Sequence, residues 1–444
     1  MSYDVTILGG GWAGICSAYE IKKLNPNLDI VILEARSRNE RGGLLRTEKV
    51  EGFSFDVGGP HMLFSRNEKI LSEIISILGE NVSVRSRMNS IYFNGKYIPY
   101  PFENGISSLE PEMRVKFGLG IIQSMIKLTQ NSGWRPNTFH DWMLGFFGES
   151  ISREYLEPYN KKIWKKDPKE LDADWVFSPG RLPFPELEEI LKSVAGIESV
   201  GYKEQSKFYY PIRGGIQSLY DSLLNKLTDL GVRIKMSSTV KKIGKRGDTF
   251  TVNDFFTTKR IVNTLPPISL TKILRMPPKI VNTLKKFEYN KVIIVGIALN
   301  VPSPPQHSVY IPDASIIFHR LTWMNNFVDK TPKGKSNLIA EVTVPSWEKI
   351  DVNFIQEQTL KGLFKIGIID SKRDVLFSKT WINEFGYPIY VRGHSEIRRE
   401  FYKYLEDTGI FSVGRWGSWH YWNTDKVLEA AKQEASGVVN SLPL

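Results

Sequence analysis

The chain has 444 residues, enough for two or three packed units and a sizeable core. Hydrophobic residues make up 41% and charged residues 24%, ordinary for a globular protein, and no apolar run reaches the roughly 18 residues of a membrane helix. The net charge of +11 is spread along the chain, its densest cluster being Lys161–Lys166, which favours a solvated surface with a few anion-ligand positions over nucleic-acid binding.

The N-terminus, MSYDVTILGGG, reads as a strand; it lacks the basic start of a signal peptide, and the expected location is cytoplasmic. A single cysteine, Cys16, excludes an internal disulfide framework and suits a reducing compartment. The six histidines (61, 140, 307, 319, 394 and 420) show no metal-ligand spacing, so no metal is expected.

DVTILGG is followed by a helix over GWAGICSAYEIKKLN, a short turn, and a second strand IVILEA that ends in Glu34. Gly9, Gly11 and Gly14 stand between strand and helix in the G-x-G-x-x-G order, with Glu34 20 positions after the third glycine. In that context Gly9 permits the tight turn, Gly11 lets the backbone approach a pyrophosphate, and Gly14 lets the helix close on the strand. Glu34 would accept hydrogen bonds from an adenosine ribose. Two further glycine pairs, Gly42-Gly43 and Gly58-Gly59, indicate more close backbone approaches and fit an extended cofactor larger than NAD. This arrangement is similar to that of the flavin-oxidoreductase superfamily that includes the amine oxidases.

RNEKILSEIISIL and PEMRVKFGLGIIQSMIKLTQ carry helical periodicity, and residues 66–200 read as helix-rich. GVRIKMSSTVKKIGKRGDTFTVNDFFTTKRIVNTLPP reads as strands around an RGD turn, returning the chain to its first domain. KVIIVGIALNV and SNLIAEVTV read as sheet. Near the end, GRWGSWHYWNTD crowds aromatic residues ahead of a helix with Val427, Leu428, Ala431 and Val438 on one face, Thr424 or Asp425 being its expected cap. The expected fold is α/β. A discontinuous Rossmann-like FAD-binding domain takes 1–85, 207–285 and 395–444, a helical insertion 105–200, and an antiparallel sheet domain 86–104 and 286–394.

GPHMLFS (59–65), YIPYPFENGISSL (97–109), PYNKKIW (158–164), FYYPIRGG and GRWGSWHYWN, taken in order with GGLLRTEKVEGFSFDVGG, resemble the UDP-galactopyranose mutase family over nearly the whole chain. The resemblance implies an isomerase that interconverts UDP-galactopyranose and UDP-galactofuranose. It would use FAD that is active only when reduced, by NAD(P)H or another donor, and pass through a flavin N5–sugar adduct. A mutase for another nucleotide-linked hexose and a flavin oxidase of the amine or protoporphyrinogen type stand as alternatives.

By the same resemblance, His61, beside the flavin ring, Arg181 and Arg320 are the catalytic positions. Tyr100, Asn160, Trp164, Arg181, Tyr310, Arg320, Tyr387 and Tyr421 would bind the UDP-sugar, with Arg320 offering a two-pronged fork to the diphosphate. Gly9, Gly11, Trp12, Ala13, Gly14, Glu34, Gly43, Leu44, Gly59, His61, Val240, Arg415, Trp422 and Asn423 would hold FAD. Glu103 and Gln205 depart from the family pattern and bear on which sugar nucleotide is accepted. A homo-oligomer is a further expectation.

Overall fold

The computed structural model describes residues 1–131, 133–177, 186–198, 206–328 and 331–442, and the statements below refer to these. Arg181 and Gln205 therefore lie outside the described residues.

The apolar run of Ser2–Leu8 forms a strand buried on both faces, and it pairs in parallel with Ile30–Leu33 on one side and Phe256–Asn263 on the other. Arg233–Lys235 extends this sheet at one edge, also in parallel. At the other edge Ile243–Arg246 and Thr249–Val252 form an antiparallel hairpin around the RGD turn, and Ile410–Ser412 runs parallel to Phe256–Asn263. The helix Trp12–Leu24 is packed between this sheet and the C-terminal helix Thr424–Asn440, with Ile15, Cys16, Ala18 and Ile21 buried in the joint core.

A second seven-stranded sheet, among the described residues, is built from later sequence plus one early hairpin. Its long strand Glu288–Leu299, second from one edge, lies between the antiparallel strands Ser336–Pro345 and Val375–Ile389. Arg320–Trp323 and Ser308–Tyr310 continue it, and the hairpin Asn89–Phe93 with Lys96–Pro99 closes the far edge. One pairing in it is parallel, between Ser308–Tyr310 and Asn89–Phe93.

The helices Pro111–Gln130, Phe139–Ile151 and Glu157–Trp164 pack against the inner face of this sheet through Phe117, Trp142 and Trp164, and Phe102 and Tyr155 from the neighbouring turns join the same core. The mixed α/β architecture agrees with the sequence reading, including the helix over 424–439. Its cap differs. Asn423 is the N-cap residue, without a side-chain capping bond, while Thr424 and Asp425 are buried inside the first turn. The reason is tertiary: the Thr424 carbonyl accepts from the buried Trp12 indole at 3.0 Å, which tucks this turn against the first helix.

Candidate functional site

The turn after the first strand has the form its glycines require. Gly9 sits at φ +97°, where a side chain would be strained, and a Cβ on Gly14 would lie 2.0 Å from the Gly9 carbonyl oxygen. A Cβ on Gly11 would meet nothing within 4 Å, so this backbone faces open space at the N-terminus of the first helix. Gly43 abuts Gly11, its Cβ position 3.4 Å from the Gly11 Cα. The Leu44 carbonyl lies 2.0 Å from where Gly58 would carry a Cβ, which locks the second and third glycine segments together. Ala13 is held close to Gly414, and Trp12 to Thr424, so the start of the first helix faces the C-terminal segment.

Glu34 accepts from the Gly10 amide at 2.8 Å and the Arg36 amide at 2.7 Å, which aims its carboxylate along the rim of this space. The Glu34 carbonyl accepts from Ser238 at 2.7 Å, bringing the loop with half-buried Val240 to the same edge. A glycine-lined opening at a helix N-terminus, with a carboxylate fixed beside it, fits the pyrophosphate and ribose of FAD.

Two cavities share a wall beyond this opening. A small one of about 40 Å³ is lined by Leu44, Gly59, Asn383, Gly386, Arg415 and Asn423. A larger one of about 420 Å³ has an aromatic half that includes Phe102, Trp142, Phe147 and Tyr155. His61, Arg320, Tyr387 and Tyr421 border both. Trp422 packs on His420 with ring centroids 4.4 Å apart, and its carbonyl accepts two bonds from Arg415, at 3.0 and 3.1 Å. The Arg415 guanidinium also lies over the Tyr421 ring, 4.8 Å from its centroid.

The residues assigned to the substrate, Arg181 apart, which lies outside the described residues, meet at the larger cavity, but several are already engaged. Arg320 gives its Nε and Nη2 edge to Glu341, the latter bond at 2.8 Å. The two-pronged fork expected for a diphosphate is therefore made with a carboxylate, and Nη1 is the end with no hydrogen bond among the described residues. Burial opposes the Arg320 charge, yet Glu341 and the neighbouring tyrosines raise its pKa well above the ordinary arginine value. Tyr387 donates to the same Glu341 at 3.1 Å, and burial keeps its phenol protonated. Tyr310 accepts from Arg87 at 3.2 Å and Asn89 at 3.4 Å, so its own proton is what it can offer a ligand.

Asn160 spends one N–H on the Leu156 carbonyl at 2.8 Å and accepts from the Trp164 indole at 3.1 Å, which makes it first of all a brace for its own helix. Trp164, Trp175, Tyr387 and Tyr421 meet edge to face or tilted at 5.0 to 6.1 Å and form one aromatic corner. Tyr100 lies 4.9 Å from Tyr310, with the Arg87 guanidinium over its outer face.

Glu103 lines the aromatic half, where burial pushes its carboxyl up to about 7 against a hydrogen bond from its own backbone amide. Sequence reasoning passed over Glu341, Arg87 and Tyr159, which also border one or both cavities. Glu341 had a signal, being the lone charge inside the strand SNLIAEVTV; Arg87, in SVRSRMNS, had none.

The sequence pattern of the flavin containing amine oxidoreductase family matches residues 12–439. Coproporphyrinogen III oxidase of Staphylococcus aureus is 24% identical over 265 residues, 55% of each chain, so the match spans about half the length of that relative. The chloroplastic protoporphyrinogen oxidase 1 of Spinacia oleracea is 22% identical over 84% of this chain and 69% of its own. Among solved structures, reduced UDP-galactopyranose mutase superposes with a TM-score of 0.87 at 22% identity, covering 99% of this chain and 94% of the mutase. Cyclohexylamine oxidase from Brevibacterium oxydans superposes with a TM-score of 0.70 at 16% identity, covering 99% of each chain. At these identities the superpositions speak to fold alone, whereas the pattern match runs through nearly the whole sequence: this chain belongs to the flavin-containing amine oxidoreductase family.

Proposed function

We propose that the protein is a reduced-FAD-dependent isomerase acting on a sugar nucleotide, with UDP-galactopyranose and UDP-galactofuranose as its substrate pair. The observation that carries this reading is the polar lining of the larger cavity: Arg320 and Tyr387 stand where the two cavities meet, Tyr310 lies beside Arg320 in the sheet, and Tyr387 packs on the aromatic corner of Trp164 and Tyr421. An oxidase acting on an apolar substrate has no use for such a wall, whereas a diphosphate needs hydroxyl and guanidinium donors. FAD, when bound and reduced, supplies an electron-rich N5 that can act as a nucleophile toward an anomeric carbon.

The protein's own residues then have supporting tasks. Arg320, held by Glu341, presents Nη1 to the diphosphate while its orientation is fixed. Tyr310 and Tyr387 bind phosphate oxygens as neutral phenols. Trp164 and Tyr421 exclude water from the corner beside the sugar. His61 borders both spaces and would tune the flavin ring. Arg415, which lines the smaller cavity, would offer positive charge to the reduced flavin. NAD(P)H or another donor would supply the electrons.

The test is incubation of dithionite-reduced protein with UDP-galactofuranose, with products separated by chromatography. UDP-galactopyranose should form only with reduced protein and without net consumption of reductant. The second reading, a porphyrinogen oxidase, is favoured by the aromatic half of the cavity around Phe102, Trp142 and Phe147. Stoichiometric oxygen consumption with a porphyrinogen, and no isomerisation, would establish it instead.

A further inference from the structure

Trp419 is fully buried yet sits at φ +53°, in the left-handed region where a bulky side chain is strained by about 1–3 kcal/mol. A turn of this kind persists only where its surroundings over-determine it. Here it folds the chain back on itself, so that the His420 amide donates to the Arg415 carbonyl at 2.9 Å. Tyr421 then enters the lining of both cavities. The Trp422 carbonyl follows and receives the Arg415 guanidinium.

Two side chains that border neither cavity hold this turn from one flank. Tyr390 follows the strand Val375–Ile389, three residues after Tyr387, and His394 opens the helix His394–Asp407. Their rings stack with centroids 3.8 Å apart. His394 Nε2 donates to the Trp419 carbonyl at 3.2 Å. The Tyr390 hydroxyl accepts from the Tyr421 amide at 3.0 Å and lies 2.9 Å from His420 Nδ1. Tyr390, His394 and His420 are all buried, which keeps solvent from replacing these bonds.

The direction of the last bond follows from proton counting. Burial, and then Arg398 and His394, bring His420 down to about 2, so its ring is neutral. A hydroxyl that accepts from an amide still has its own proton to give. Tyr390 therefore donates to Nδ1, and His420 carries its ring proton on Nε2.

We propose that Tyr390 is a positioning residue for both halves of the site: its hydroxyl, bridging the Tyr421 amide and the His420 ring, holds the strained turn so that Tyr421 faces the sugar nucleotide and Arg415 stays beside the flavin. The Tyr421 half rests on the sugar-nucleotide reading above, and the Arg415 half on the flavin alone. Without the hydroxyl, two buried polar groups lose a shared partner and the turn at Trp419 is free to relax. The Trp422 carbonyl then no longer fixes the guanidinium, whose charge stabilises the reduced flavin less.

The test compares Tyr390→Phe, His420→Leu and His420→Asn with the parent, each as the purified flavoprotein. The flavin midpoint potential is measured by reductive titration against a reference dye, and UDP affinity by calorimetry. Tyr390→Phe and His420→Leu should retain flavin, show a lower potential, and bind UDP about two- to tenfold more weakly, as expected for one neutral hydrogen bond. His420→Asn puts a carbonyl oxygen where Nδ1 stood and should recover most of both losses.

Parent-like potential and UDP affinity in Tyr390→Phe, with only the melting temperature lowered, would make Tyr390 a packing residue and overturn the proposal. Equal losses in His420→Leu and His420→Asn would overturn it as well. If Tyr390→Phe does not fold, the contrast between those two histidine variants decides. A parent that binds no UDP overturns the sugar-nucleotide reading, and the flavin potential by itself then decides the positioning role.

Discussion

Arg320 and Glu341 form a pair in which removal of either partner has two consequences. Arg320→Ala takes away a charge-assisted donor, worth about 1.5–3 kcal/mol, so UDP should bind roughly ten- to a hundredfold more weakly. It also strands the buried Glu341 carboxylate, at a cost of about 3–5 kcal/mol in stability. The double variant Arg320→Ala/Glu341→Gln should recover much of the melting temperature while UDP binding stays weak. Recovery of UDP binding along with stability would remove Arg320 from the anion wall. Arg320→Lys should restore little, since an ammonium cannot reproduce the two parallel bonds to Glu341. Flavin content should be unchanged in all three, because the glycine turn and Arg415 are untouched.

At the scale of elements, the cofactor opening depends on two helices meeting at their starts. The Trp12 indole donates to the Thr424 carbonyl in a buried setting, so Trp12→Phe keeps most of the packing and removes the bond. The loss removes one buried hydrogen bond while the Thr424 carbonyl keeps its acceptor role inside its own helix, and should cost about 0.5–1.5 kcal/mol by thermal or chemical unfolding. Flavin should be released more readily, as measured by retained absorbance after dialysis. Gly11→Val acts on the same opening differently. Its side chain would enter the space that meets nothing within 4 Å, so flavin should be absent while the apoprotein remains folded by circular dichroism.

Across the whole molecule, the helices Pro111–Gln130, Phe139–Ile151 and Glu157–Trp164 must dock on the second sheet for the cavity to exist. Asn290, fully buried in the strand Glu288–Leu299, donates to the Trp164 carbonyl at 2.7 Å and the Ile163 carbonyl at 3.3 Å. Asn290→Ala should lower stability by about 1–3 kcal/mol through those two unsatisfied carbonyls. It should also loosen the aromatic corner, seen as altered tryptophan fluorescence on UDP addition. An unchanged spectrum with lowered stability would make Asn290 a core residue only. Among the described residues, no helix is long and apolar enough to cross a membrane.

The sequence by itself determined the parts that rest on local rules. The glycine turn was legible because the positive φ of Gly9 strains any side chain and a Cβ on Gly14 would stand 2.0 Å from the Gly9 carbonyl oxygen, and Glu34 because it follows the next strand. Periodicity located Glu68–Leu78, Pro111–Gln130 and Thr424–Asn440 as helices. What only the tertiary structure decided is which donors are already spent. Arg320 and Asn160 were legible as cavity residues, yet their partners Glu341 and Leu156 depend on sheet register and on a helix brace that residue type does not encode. Thr424 reads as a cap until a tryptophan 412 residues away takes its carbonyl. Lys162 reads as one of a surface run of lysines, and its burial against two carbonyls 149 and 151 residues away comes from long-range packing that no local pattern records.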